Sequence, residues 1–477
     1  MNLKYKLLMS NFGTLALILS FLLLSTLWAD ETDEAVQIQR EIENWKKRYH
    51  EDLSKLKEKV QQLKDRQAAQ RKALPQTFDR LLDKYLTKGT EPITWTNFLS
   101  PKNRIQFYGF MRLDVAYDSD RTDEGNKTFF VRNHNDPIRT EDEEFNITAR
   151  QTRFGLNLNG TPLSILGNPE LSGKLEIDFD AGGPENRNLP RMRHAYLELN
   201  WKEKDIKLLA GQTYDVVSPL NPDSIDYGNH WNAGNTGDRR PQLRVTYSPS
   251  LVKINDEDLR LNVAVALLRT GAIDGQDIDA DGNNDGEDSG TPMMQWRVGL
   301  DIPALVEKSP IQIGFWGSHG WEESQTRIGT NTEKDFSSLL LGFDLKIPIH
   351  ERFTFSTEMW WGHNLNDLRG GIAQGIDTFH GKEIEAFGGW FSGKVKITDM
   401  LSASAGYTFD NPQDEDVSDF PAATGRFRNQ AYFINNVWEL GSGFSTGYEY
   451  QYMLTAYSRK DQSNYNNRGM IFFMYKW

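Results

Sequence analysis

Two hydrophobic periods divide this chain. From Arg104 to Trp477 apolar residues recur at every second position, the period of a strand with one apolar face. In RIQFYGFMRLDVAY, Ile105, Phe107, Met111, Leu113 and Val115 share one face, and Gln106, Arg112 and Asp114 the other. LSGKLEIDFD sets Leu171, Leu175, Ile177 and Phe179 against Lys174, Glu176, Asp178 and Asp180. The alternation returns at RFGLNLNG (153–160), AYLELNW (195–201), DIKLLAGQ (205–212), QLRVTYS (242–248) and LRLNVAVALL (259–268). It continues through MQWRVGLDI (294–302), IQIGFWGS (311–318), LLLGFDLKI (339–347), RFTFSTEMW (352–360) and EAFGGWFSGKVKI (385–397). LSASAGYTF (401–409), NQAYFINNVWEL (429–440), FSTGYEYQY (444–452) and the terminal RGMIFFMYKW bring the predicted strands to about sixteen.

Residues 33–72 follow the other period. They contain no Gly or Pro and carry Ile38, Ile42, Trp45, Tyr49, Leu53, Leu56, Val60 and Leu63 at steps of 3 and 4. This is a coiled-coil seam with one stutter after Tyr49, and it needs partner helices to bury it. Pro75 ends it, and a linker runs over 73–103. Ahead of it, Lys4 and Lys6 precede an apolar run closed by Ala29-Asp30, which reads as a signal peptide over 1–29.

The connections between strands decide the architecture. Those after even-numbered strands are mostly short, with KEKD (202–205), PIH (348–350), TDM (398–400) and GSG (441–443) the tightest. Those after odd-numbered strands are mostly longer, polar and rich in Gly and Asp. A soluble sandwich has no reason to sort loops by parity. A bacterial outer-membrane barrel has short periplasmic turns and long extracellular loops. Closure also pairs every backbone group without exposing an edge to hydrocarbon. The expected fold is an all-β transmembrane barrel of about 16 antiparallel strands over 104–477, preceded by a periplasmic α-helical coiled coil. Its last strand should pair with the first, with Ile471, Phe473 and Tyr475 toward outer-membrane lipid and Trp477 in the periplasmic aromatic girdle.

Composition removes alternatives. A mean hydropathy of −0.61 is too polar for a bundle of membrane-spanning helices. A net charge of −13 argues against nucleic acid as a partner. The absence of Cys excludes disulfides, thiol catalysis and thiolate metal sites. Gly443-Phe444-Ser445-Thr446-Gly447 matches G-x-S-x-G, but it opens a predicted strand and no His follows His380, so no enzyme is expected.

The coiled coil, the opening strand FYGFMRLDVAYDS, and the stretches RQTRFGLNLNG, RMRHAYLELNW and KLLAGQTYDVVSPLNP together resemble the DcaP-like trimeric porins. The likeness is most specific between Arg104 and Pro249. It implies a sixteen-stranded homotrimer, a periplasmic coiled coil, and passive uptake of small anions such as dicarboxylates. Phosphate-selective porins share this plan. A structural protein that ties the outer membrane to peptidoglycan through its coiled coil is the competing class.

Sixteen strands enclose an aqueous channel, so selectivity needs a constriction. The third long connection (214–241) is the candidate, because Tyr227, His230 and Trp231 are bulky for a loop meant only for solvent. Strand parity turns Arg112, Asp114, Arg153, His194, Arg240, Arg244 and Arg297 into the lumen, while Arg191 and Arg193 fall outward unless a bulge shifts them. With Tyr227 and Trp231 these form the candidate solute-binding set. Guanidinium groups hold carboxylate or phosphate bidentately, and a string of them attracts anions despite the acidic total.

DIDADGNNDGED in the seventh-to-eighth connection fits a calcium loop, with Asp277, Asp279, Asp281, Asn283, Asp285 and Asp288 as ligand positions and Gly282 at the sharp turn. Asp rather than Glu at the twelfth position predicts weak Ca²⁺ binding. No catalytic residue and no required cofactor are expected.

Overall fold

The computed structural model describes residues 104–134, 142–324, 335–418, 425–457 and 463–477, with scattered positions between 40 and 65. The chain divides into Met1–Ile93 and Thr94–Trp477. In the first unit the described positions, among them Arg40, Glu43, Arg48, Glu51, Glu58 and Asp65, are helical and exposed. The signal peptide, the apolar seam and the linker lie outside the described residues. Among the described residues no helix is long and apolar enough to cross a membrane, which says nothing about a barrel.

The second unit is a closed antiparallel barrel. Its strands are β1 (Arg104–Asp118), β2 in two segments (Glu144–Thr148 and Arg153–Asn159), β3 (Glu170–Asp178), β4 (Arg191–Trp201) and β5 (Ile206–Tyr214). They continue with β6, also in two segments (Arg239–Tyr247 and Ser250–Ile254), β7 (Glu257–Leu268), β8 (Met293–Val306), β9 (Ser309–Glu323) and β10 (Asp335–His350). The circuit is completed by β11 (Phe353–His363), β12 (Glu385–Lys396), β13 (Leu401–Pro412), β14 (Arg428–Gly441), β15 (Phe444–Ala456) and β16 (Ser463–Lys476). Each strand pairs with its chain neighbours, and β16 pairs with β1 from Phe110↔Lys476 to Asp118↔Arg468. The sixteen segments expected from the alternation are thus the sixteen strands.

The closing ladder shows why the pattern works. Met111 faces Tyr475, Leu113 faces Phe473 and Val115 faces Ile471, so cross-strand apolar pairs tile the outer surface. Ile471, Phe473, Tyr475 and Trp477 are all exposed, while Met470 and Phe472 turn inward and are buried. The even-numbered strands return through tight turns. Asn255-Asp256 and Ser442-Gly443 both adopt positive φ at two consecutive residues, the twist that a two-residue hairpin needs.

β6 runs farther than its alternation suggests. Pro249 has no N–H, so the ladder breaks there and resumes at Ser250. Every residue of Ser250–Ile254 is exposed, so no apolar face marks the extension. Ser445 lies inside β15, paired with Glu439 and Met474, which is strand geometry and not a nucleophile elbow.

The interior is filled toward the end that carries the long loops. Loops L1 (119–143), L3 (215–238), L4 (269–292) and L6 (364–384) follow β1, β5, β7 and β11. Val216 and Val217 of L3 and Leu365 and Leu368 of L6 form a buried cluster with inward residues of the wall, including Met293, Trp316, Leu340 and Trp360. β7 to β11 are therefore apolar on both faces at this level, with Leu267, Leu341 and Trp361 exposed outside.

Candidate functional site: an infolded loop and a basic wall

L3 leaves β5, enters the lumen and is held by wall strands far away in sequence. Glu358 on β11 accepts from Ser218 Oγ at 2.5 Å and Leu220 N at 2.8 Å. Ser392 on β12 donates to Asp223 at 3.1 Å, and Asn435 on β14 donates to the Asp223 carbonyl at 2.7 Å. Glu449 on β15 accepts from Ser224 Oγ at 2.8 Å and Ile225 N at 2.9 Å. Arg468 on β16 pairs with Asp226 at 3.0 Å, and Arg112 on β1 donates to the Ile225 carbonyl at 2.7 Å. The loop then touches β3, where the Tyr227 hydroxyl donates to Asp178. On its return it stacks His230 on Phe433 at 5.0 Å and accepts from Trp360 Nε1 at the Gly234 carbonyl, 2.7 Å.

Gly234 is required there. Its φ is +121°, and a Cβ would lie 2.3 Å from the Gly389 carbonyl oxygen and 2.8 Å from Phe409 backbone atoms. The loop thus lies directly on the β12–β13 backbone.

The expected lumen residues divide by environment. Arg112 forks onto Asp114 at 2.7–3.1 Å and stacks on Phe472, so this pair anchors L3. Arg153 lies over Phe110 and 3.5 Å from Glu176. His194 is buried and meets Thr213 Oγ1 at 3.0 Å. Trp231 is buried between the guanidinium groups of Arg239 and Arg369, at 5.8 and 5.1 Å. Arg240 is 0 % exposed, bonded to Asp215 at 2.9 Å and Asp367 at 2.6 Å. It ties L3 to L6 and presents no surface to a solute.

Arg244 and Arg297 remain on the open side. Arg297 is forked onto buried Asp344 at 2.8 and 2.6 Å. Arg244 donates to Gln242 Oε1 at 2.8 Å and to the Tyr214 carbonyl, and has no carboxylate partner among the described residues. Both line a cavity of about 390 Å³ between Pro219 and Leu220 of L3 and the β6–β9 wall, with Asp301 and Gln312 also in its lining.

The outward parity of Arg191 and Arg193 is corrected by a bulge. Glu176 opposes His194 but Ile177 opposes Met192, so Arg193 is the extra residue and the parity inverts beyond it. Arg191 reaches Asp178 at 2.8 Å and Arg193 reaches Glu176 at 2.7 Å, both inside, while Met192 is exposed. Both donate to Tyr227, so the acidic face of β3, two arginines and L3 form one network. Glu358 and Glu449 are the functional residues that strand reading overlooked. Each is a lone acid on the inward parity of an otherwise neutral strand, which is the signal that could have found them.

In L4, ligand oxygens of Asp277, Asp279 and Asp285 lie within 4.8 Å of one another. Gly282 N donates to Asp277 at 3.2 Å and Asn283 N to Asp281 at 2.8 Å, so the acids wrap the turn. Asp285 is buried, and burial followed by the charges of Asp279 and Asp277 pushes its carboxyl up to about 6.

The same architecture occurs in the outer membrane channel DcaP of Acinetobacter baumannii, at 19% identity over 79% of this chain and 97% of that one, TM-score 0.61. Pseudomonas putida OprB aligns at 10% identity over 80% of this chain and 96% of that one, TM-score 0.50. These likenesses concern the fold. No curated protein matches by sequence. A family model described as DcaP outer membrane protein matches residues 36–283, just over half of the chain, and the chain belongs to that family of outer-membrane proteins.

Proposed function

We propose that the barrel is a passive channel for small hydrophilic solutes that favours small anions such as dicarboxylates. The observation that carries this reading is how charge is divided at the narrowing. Each L3 acid is neutralised: Asp215 by Arg240, Asp223 by Lys394, Asp226 by Arg468 and Asp238 by Arg239 and Arg369. Arg244, across the cavity, has no such partner among the described residues. An anion passing there meets an available guanidinium, while a cation meets L3 acids already paired and, on the wall, Asp301 held by the amides of Asn262 and Gln312. Arg153, Lys174 and Arg297 extend the basic wall. No step requires a catalytic group. The apolar seam of residues 38–63 supports a homotrimer joined by a periplasmic coiled coil.

Reversal potentials across planar bilayers in asymmetric potassium chloride test the reading. Anion preference is expected, and dicarboxylate should block the chloride current more strongly than phosphate. Cation preference in the native channel overturns the anion reading and leaves the channel intact, whereas absence of any conductance overturns the channel and favours the envelope tether. We also propose that the 277–288 loop takes Ca²⁺ weakly, on the convergence of its three carboxylates. Unchanged calcium binding in the D279N/D281N protein would refute that assignment.

A further inference from the structure

Where L4, the outer end of β9 and L6 meet, acceptor oxygens outnumber donors. Glu322 on β9 and Asn364 at the start of L6 are each 1 % exposed. Asn364 Nδ2 donates to Glu322 Oε2 at 2.9 Å, yet Glu322 Oε1 and Asn364 Oδ1 are buried without a donor among the described residues. Gln276 Oε1 and Asp288 Oδ2 in L4 are buried in the same condition. Asp274 of L4 is held by Asn366 Nδ2 at 3.1 Å, and its charge is the one felt most strongly at Glu322, ahead of Asp367 and Asp285. The cation hydrogen-bonded in this group is Arg240, and it is spent on Asp215 and Asp367. Phe336 and Ile376, packed with Ile278, form an apolar cluster beside it, Phe336 directly opposite Glu322 in the sheet.

Buried acceptors left without donors cost about 1–3 kcal/mol each, more when charged. Two of them side by side, Glu322 Oε1 and Asn364 Oδ1, call for positive charge that the described residues do not provide.

We propose that Glu322 and Asp274, with the amide oxygens of Asn364 and Gln276 at the edge, hold a buried Ca²⁺ that clamps L4 to β9 and L6. Two carboxylates neutralise one divalent ion, and hard oxygen donors of mixed type select calcium over softer metals. This site uses none of the surface-loop carboxylates Asp277, Asp279 or Asp281. It therefore stands whether or not that loop or the anion reading survives.

The test uses the full chain folded in detergent. In the D279N/D281N protein, calorimetric titration should still find one Ca²⁺ per chain, saturating at ~0.1–1 mM. Calcium should raise its unfolding temperature relative to the protein in EDTA. Adding Glu322→Gln should abolish both the binding and the thermal shift, and Asp274→Asn in the same background gives the same readout if the glutamine variant does not fold. A D279N/D281N protein that binds no calcium and unfolds identically in EDTA overturns the proposal. Retention of the bound ion in both inner variants overturns it equally.

Discussion

The two sides of the lumen use the same inward parity for opposite purposes. From β11 round to β1, inward acids and polar residues are consumed by L3: Glu358 and Glu449 each accept a backbone N–H and a serine hydroxyl, and Asp226 meets Arg468. From β6 to β9, inward Arg244 and Arg297 border open space of about 390 Å³. A buried carboxylate whose lone pairs are filled by a loop's amides is a fastening. A guanidinium without a carboxylate partner is a contact surface. Burial and partner count, rather than residue type or parity, separate the two.

The largest effect is expected from breaking a fastening. Glu358→Ala leaves Ser218 Oγ, Leu220 N and Trp390 Nε1 without their acceptor, a loss of about 3 kcal/mol or more. L3 should detach locally, raising single-channel conductance and adding current noise. Glu449→Ala should do the same through Ser224 and Ile225, whereas a conductance unchanged in both variants would show that L3 does not narrow the pore. Gly234→Ala comes next. Positive φ and the contact with Gly389 make it cost about 1–3 kcal/mol, read as a lowered unfolding temperature with altered conductance.

These expectations rest on features of unequal legibility in the sequence. Strand number, order and facing were readable because lipid and water impose a period of two on every strand, down to Ile471, Phe473 and Tyr475. The plug was not, because it replaces water inside the barrel with protein: Trp316, Leu340 and Trp360 are inward yet apolar, which blurs the alternation that marks a lumen. The bulge at Arg193 was equally hidden, since one extra residue alters no composition and only the pairing partner reveals it. Arg240 carried the right parity and the wrong environment, enclosed by Asp215 and Asp367 from two loops distant in sequence.

On the open side the effect should be on selectivity rather than stability. Arg244→Ala removes bonds to a glutamine side chain and a carbonyl, about 1 kcal/mol at most, and should reduce anion preference in the reversal potential. Arg297→Ala is the informative contrast, because it strands buried Asp344. A buried charge deprived of its partner costs about 3–5 kcal/mol, so this variant should lose stability as well as selectivity. Equal stability losses in the two variants would erase the distinction between fastening and surface.

The smallest effect concerns a fastening outside the wall strands. Asp123 in L1 accepts the backbone N–H of Phe129 at 2.8 Å and of Phe130 at 3.1 Å, two amides where Glu358 and Glu449 each hold one amide and a serine hydroxyl. Burial dominates here and pushes its carboxyl up to about 7 from an ordinary 3.8. A folded value above the unfolded one means that the folded loop binds the extra proton. Stability should therefore be highest below the unfolded value, fall as the pH rises from about 4 toward 7, and stay flat beyond. Hydrogen exchange at the Phe129 and Phe130 amides should accordingly show stronger protection at pH 5 than at pH 8, after correction for intrinsic rates. Asp123→Asn keeps an acceptor oxygen and removes the titration, so protection should become independent of pH. A pH dependence that survives the substitution would place the titrating group elsewhere and confine the amide-held carboxylate, as a charge-sensitive fastening, to the lumen.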